Sequence, residues 1–295
     1  MRGSLGRGSS GCSGYSRGVR VLITGAGGQL GSELAALLAP DHDVHAPRRA
    51  QLDVADRASV DLAVSSFAPE LVLHTAAWTD VDGAEADPAG AFRVNEEGSR
   101  NVSRAARAAG AQLVAYSTDY VFPGDAREGY VESDATGPRS VYGASKLAGE
   151  LAVRAEHDGA QIVRTAWVFS PRGKNFLLTM LRVGAEQPEL RVVDDQIGCP
   201  TATRHLAAAT MQLIELCPAG TYHLAGGGSV SWNGFARAIM EDAGLPARVV
   251  SMSSAELDRP APRPACSVLN SEHADAPRLP PWREGLRETL EEIRR

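Results

Sequence analysis

Apolar residues in the first 165 positions come in short continuous runs. Val19-Arg20-Val21-Leu22-Ile23-Thr24 is the first, and Glu70-Leu71-Val72-Leu73-His74-Thr75 and Gln112-Leu113-Val114-Ala115-Tyr116-Ser117 repeat the pattern. Runs of this length that are apolar at successive positions predict strands covered on both faces, as in a parallel sheet. Asp43-Val44-His45-Ala46 predicts a shorter strand, Ser32 to Leu38 a helix, and the stretch through 95–102 a helix covering the sheet. The alternation from 19 to 117 therefore predicts an α/β chain, a doubly wound parallel sheet with right-handed crossovers. From about residue 166 the pattern loosens, with helices expected near 173–186 and 203–216 and short strands near 190 and 221.

Three segments follow from this pattern. Residues 1–18 are rich in Gly, Ser and Arg and almost devoid of aliphatic side chains, so they predict a disordered extension. Residues 19–165 predict a dinucleotide-binding domain. Residues 166–295 mainly predict a smaller C-terminal lobe, with the chain free to cross back to the first sheet. Arg259-Pro-Ala-Pro-Arg-Pro264 cannot form a helix interior and reads as an extended loop of that lobe.

Composition narrows the function. A formal net charge of -6 argues against a general nucleic-acid or acidic-membrane binder, and no apolar run is long enough to span a bilayer. The four cysteines are far apart and the seven histidines form no zinc-type pair, which suits small-molecule chemistry in a reducing cytoplasm.

The first strand runs into Gly25-Ala26-Gly27-Gly28-Gln29-Leu30-Gly31, where Gly25, Gly28 and Gly31 keep a three-residue spacing. Missing side chains let the backbone turn tightly and approach a pyrophosphate, whose charge meets the positive end of the following helix. After the second strand, Arg48 and Arg49 stand where NAD-selective folds place an acid. Two guanidiniums there suit a 2′-phosphate and favour NADPH over NADH, although a solvated basic turn is the other reading. Leu52-Asp53-Val54 looks like the adenine-side turn, and the small residues in Ala76-Ala77-Trp78-Thr79 would admit the cofactor. His74, inside a strand, reads as a hydrogen-bonded core residue.

Ser117 and Thr118 end the fourth strand, where ligands of such sheets bind, though Thr118 could equally cap a turn. Tyr142 and Lys146 lie four apart at the start of a helix, one above the other on one face. A neighbouring ammonium favours the ionised phenol, so the pairing predicts a tyrosine pKa lowered toward the range useful for proton exchange.

Thr24-Gly25-x-x-Gly28-x-x-Gly31, Ser117-Thr118 and Tyr142-x-x-x-Lys146 resemble the extended short-chain dehydrogenase/reductase family. GAGGQLGSEL at 25–34, STDYVFPG at 117–124, VYGASKLAGE at 141–150, RTAWVFSPRGKNF at 164–176, VVDDQIGCPT at 192–201 and RPACSVLN at 263–270 resemble, more narrowly, its dTDP-4-dehydrorhamnose reductase branch. The resemblance implies a triad of Thr118, Tyr142 and Lys146 reducing the C4 ketone of a dTDP-sugar with NADPH. It implies Gly28, Gln29 and Leu30 on the pyrophosphate, Asp53 and Val54 beside the adenine, and Ala77 to Thr79 along the cofactor. Val81, Asp119 and Trp167 match substrate contacts, although an aromatic after a strand is as commonly packing, and Arg263 is the candidate for the dTDP diphosphate.

Some relatives dimerise through Mg²⁺ held by glutamates. Glu33 matches one of these, and its further ligands are not placed by the motifs. Cys266 and Val268 depart from the pattern and leave the lobe's sugar contacts open. The related alternatives are a reductase of a rearranged 4-keto sugar, of the dihydrostreptose type, and a non-catalytic NADP-binding subunit like that of methionine adenosyltransferase. Tyr120 two places after Thr118 departs from the Asp-Glu pair of the dehydratases.

Overall fold

The computed structural model describes residues 18–295; residues 1–17, which carry Cys12 and most of the extension expected to be disordered, lie outside the described residues. Six parallel strands form the main sheet: β1 (Arg20–Thr24), β2 (Asp43–His45), β3 (Leu71–His74), β4 (Gln112–Thr118), β5 (Gln161–Thr165) and β6 (Gly220–His223). Their order is β6-β5-β4-β3-β1-β2, a Rossmann-type arrangement in which the winding reverses beside β1. Ligands of such sheets bind at that reversal, beyond the carboxyl ends of the strands.

Successive side chains of a strand point to opposite faces, and both faces here are covered. Val21, Ile23, Leu71 and Leu73 pack on one side against Leu34 and Leu38 of the helix Gln29–Leu38 and Leu206 and Leu213 of the helix Thr203–Leu216. Leu22, Val72, Leu113 and Ile162 pack on the other, against Val60 and Val64 of the helix Arg57–Phe67, Val102 of Gly98–Ala108 and Val153 of Val141–Glu156. This two-sided burial is why the strands read as continuous apolar runs. Each such side chain contributes about 1.5–3 kcal/mol.

After β5 the chain leaves the sheet and returns to it at β6, beside β5 in register Tyr222 to Val163. Outside the sheet a separate core gathers Phe169, Leu177, Leu190, Val192, Phe235, Ile239, Leu286 and Leu290. It joins the parallel pair Glu189–Val193 and Arg248–Met252 to the helices Phe176–Glu186, Trp232–Ala243 and Trp282–Arg294. Thus Thr203–Leu216, though late in the sequence, belongs to the main sheet. No helix among the described residues is long and apolar enough to cross a membrane.

Candidate active site

A cavity of about 710 Å³ opens along the carboxyl ends of β1, β3 and β4. Its lining brings together Gly25, Gly28, Gln29, Leu30, Gly31, Arg49, Asp53, Val54, Ala76, Ala77, Thr79, Val81, Thr118, Asp119, Tyr142, Lys146 and Trp167 from the sequence-based set.

The glycine loop is shaped by close approach. Gly25 has φ +74°, and a Cβ there would stand 2.6 Å from the Ala76 nitrogen; one on Gly31 would stand 2.5 Å from the Gly25 carbonyl oxygen. The helix Gln29–Leu38 starts from Gly28 with no side-chain cap, so its first-turn N–H groups remain available to an anion. Open space surrounds the Cβ direction of Gly27. The loop therefore fits a dinucleotide diphosphate.

The helix Val141–Glu156 starts where Ser140 accepts a hydrogen bond from the Gly143 N–H at 3.1 Å. Tyr142 packs its ring with Ala84 and Ala91 and meets Tyr120 edge-on, centroids 5.6 Å apart. Lys146 donates from Nζ to the Tyr116 carbonyl at 2.7 Å. Burial pushes the Tyr142 phenol up to about 12, against a hydrogen bond with Thr118, and pulls the Lys146 ammonium down to about 8, against the charge of Glu150. The expected lowering of the tyrosine pKa is thus corrected: desolvation of the buried phenol outweighs the Thr118 hydrogen bond, the charge of Asp119 adds to the rise, and the Lys146 ammonium is turned onto a backbone carbonyl.

Thr118 both lines the cavity and caps the turn Asp119–Val121, accepting from the Tyr120 N–H at 3.3 Å. Its hydroxyl donates to Asp119 Oδ1 at 2.9 Å. Asp119 is 2% exposed, and burial raises its carboxyl from 3.8 to about 6 against the Ser267 and Thr118 hydroxyls. Between those values the folded protein keeps a proton that the unfolded chain releases, so this group makes stability fall as pH rises through the window. Relative to Asp119→Asn, the unsubstituted protein is expected to lose about 2–3 kcal/mol between about pH 4 and pH 7. Urea denaturation at both pH values checks this; a stability difference independent of pH would refute it.

His74 is the core residue expected. Ser99 donates to the Asn95 carbonyl at 2.6 Å, so it accepts from His74 Nε2 at 3.2 Å, leaving Nδ1 to accept from Thr24 at 2.7 Å. Burial, then Lys146, lowers its pKa to about 3.

Four expected residues stand elsewhere. Arg48 is exposed and does not line the cavity, because the turn it opens, with its N–H donated to Gln51 Oε1 at 2.9 Å, presents only Arg49. The Trp78 indole donates to the Asp80 carbonyl at 2.9 Å and packs outside the lining. Arg263 is neither at the cavity nor free in solvent. It pairs with Asp82 at 2.8 Å and donates to the Ala261 carbonyl at 3.1 Å. Glu33 is not part of the one group of carboxylates and imidazole, Glu132, Glu272 and His273, whose ligand atoms lie within 4.8 Å of one another among the described residues. Neither Cys266 nor Val268 lines the cavity.

Two residues escaped the sequence reading. Asn95, fully buried in the π-turn Arg93–Glu97, accepts from the Trp78 N–H (2.8 Å) and donates to the Trp78 carbonyl (3.1 Å) and to Ser145 Oγ (2.8 Å). Ser145 donates in turn to the Tyr142 carbonyl at 2.8 Å. Asn95 thereby ties the Ala76–Thr79 wall to the Tyr142 helix. Trp232 stacks on Trp167 with centroids 3.5 Å apart and planes 3° from parallel, and both line the cavity. Trp167 holds φ +47°, a left-handed conformation that costs roughly 1–2 kcal/mol in an L-residue, and packs against the lobe core as well. A polar Asn in a helix covering the sheet was a signal for the first; nothing near Trp232 marked the second.

A model of the RmlD substrate binding domain matches residues 19–295. The chain is 44% identical to the dTDP-4-dehydrorhamnose reductase of Streptomyces griseus, over 92% of this chain and 93% of the relative. It is 41% identical to the spore coat polysaccharide biosynthesis protein SpsK of Bacillus subtilis, over 92% and 97%. The crystal structure of dTDP-4-dehydrorhamnose reductase from Bacillus anthracis in complex with NADP superposes with a TM-score of 0.90 at 40% identity, covering 93% of this chain and 99% of that one. The chain belongs to the dTDP-4-dehydrorhamnose reductase family.

Proposed function

We propose that this protein reduces the C4 ketone of dTDP-4-dehydro-6-deoxy-L-mannose to the alcohol of dTDP-L-rhamnose, using NADPH in a reducing cytoplasm. The observation that carries the reading is one cavity joining the glycine loop to Thr118, Tyr142 and Lys146. NADPH, when bound, supplies the hydride. Tyr142, held protonated by its burial, gives its proton to the oxygen developing at C4, and Thr118 beside it binds the same oxygen by turning its one hydroxyl hydrogen away from Asp119 Oδ1. Lys146 has three N–H donors and spends one on Tyr116, leaving two for ribose hydroxyls. Arg49, which follows β2 where such folds bind the adenosine ribose and lines the cavity together with Asp53, suits the 2′-phosphate. Residues 166–295 outside the main sheet supply the sugar side, where the stacked Trp167 and Trp232 form an apolar wall that keeps water from the reacting carbon.

The test is loss of the nicotinamide absorbance with NADPH and dTDP-4-dehydrorhamnose, with the product identified by NMR. NADPH is expected to be turned over in preference to NADH and dTDP-L-rhamnose to accumulate. No turnover of this sugar, or turnover only of a branched 4-keto sugar, would overturn the assignment.

A further inference from the structure

A dinucleotide and a nucleotide sugar each bring a diphosphate into this cavity, yet the cations that line it are only Arg49, Lys146 and Lys174 among the described residues. Arg49 stands at the adenosine end and Lys146 is buried beside Tyr142. Arg263, expected on a diphosphate, is held by Asp82 outside the lining. Lys174 remains.

It rides on a strap, residues 170–175, that crosses from the C-terminal part of the chain to the glycine loop. The Gln29 side chain fastens the strap: Nε2 donates to the Lys174 carbonyl at 3.4 Å, and Oε1 accepts from Asn175 Nδ2 at 2.8 Å. Asn175 also accepts from the Leu178 N–H at 2.9 Å and so caps the helix Phe176–Glu186. Both ends of the Gln29 carboxamide are therefore tied to the strap, which holds the strap against the glycine loop. Within the strap, Arg172 is paired with Glu292 at 3.2 Å, whereas the exposed Lys174 ammonium has no ion pair among the described residues.

We propose that Lys174 is the counter-charge of the cofactor diphosphate, held across from the glycine loop by Gln29 so that the loop's N–H groups and this ammonium clasp the diphosphate from two sides. The inference rests on the dinucleotide reading of the cavity. A neutral N–H cradle binds phosphate oxygens but leaves their charge uncompensated, and a flexible ammonium suits that task as a point charge. The choice of the cofactor's diphosphate follows from the fastening, because the strap is tied to the residue that immediately follows the phosphate-binding turn.

Titrating the full chain with NADPH, NADH and dTDP separately tests this, by nicotinamide fluorescence and calorimetry. Lys174→Met is expected to raise the Kd of NADPH by about 10-fold and that of NADH by the same factor, since both carry the diphosphate. The Kd of dTDP is expected to stay constant, the salt dependence of NADPH binding to flatten, and Lys174→Arg to restore most of the affinity. A loss confined to dTDP, or one seen with NADPH and not with NADH, would overturn the assignment. Equal NADPH binding by the unsubstituted protein and Lys174→Met overturns the role of Lys174 alone; an unsubstituted protein that binds no NADPH overturns the dinucleotide reading with it.

Discussion

Tyr142→Phe is expected to lower kcat by about 10³-fold while the Kd of NADPH and the melting temperature stay close to their original values. The ring is what the fold uses. It fills the space between Ala84 and Ala91 and meets Tyr120 edge-on, and phenylalanine keeps all of that. The hydroxyl is what the proposed chemistry uses. With its pKa raised to about 12 by burial, the phenol carries its proton at neutral pH and is a filled donor, with Thr118 as its hydrogen-bond partner.

The pH profile follows from the same geometry. Lys146, lowered to about 8 by burial, loses its charge well below the point where Tyr142 does, so the alkaline decline of kcat/KM is expected near pH 8 and belongs to the lysine. Stopped-flow rates across the range for the unsubstituted protein and Tyr142→Phe would decide the matter. A kcat within a few fold of the original would remove Tyr142 as the proton donor.

The parts of this site that could be read from the chain are those fixed by neighbours in sequence. The glycine spacing after β1, the strands buried on both faces and the four-residue step from Tyr142 to Lys146 each occupy a single short window. What could not be read depends on residues far apart in the chain. The sign of the Tyr142 shift turns on how deeply the phenol is covered and on where Lys146 points, and its acceptor, the Tyr116 carbonyl, is 30 residues away. Arg263 was expected on a diphosphate, but Asp82, 181 residues distant, has it. Arg48 and Arg49 are equivalent in a sequence window and differ only because the turn shows one of them to the cavity. Asn95 reaches Trp78 and Ser145 across 17 and 50 residues, through contacts no periodicity encodes. Lys174 did leave a trace, since it lies in the stretch 164–176 that carries part of the family resemblance.

The second large effect concerns what holds the Tyr142 helix against the sheet. Arg164 of β5 and Glu150, one turn beyond Lys146, are 3% and 1% exposed at the side chain and form a two-pronged pair: Nε to Oε1 at 2.9 Å and Nη2 to Oε2 at 2.8 Å. The Arg164 guanidinium also lies 4.9 Å from the centroid of the Phe122 ring. Arg164→Met strands the Glu150 carboxylate in the interior, where Arg154 offers only a partner at 3.4 Å, and is expected to cost about 3–5 kcal/mol, seen as a melting temperature lower by about 10 °C. Replacing both residues, Arg164→Met with Glu150→Leu, removes the stranded charge and is expected to recover most of the stability, since a buried ion pair and a well-packed apolar pair of similar volume are near-equivalent. The recovered protein differs in its chemistry. Glu150 is the charge that raises the Lys146 pKa against burial, so its loss is expected to move the alkaline limb of the rate profile below pH 8 even where the fold is intact. A double variant that is as stable as the original and keeps the alkaline limb in place would show that the pair only fastens the helix; a single variant costing less than about 1 kcal/mol would show that water reaches Glu150 once the guanidinium is gone.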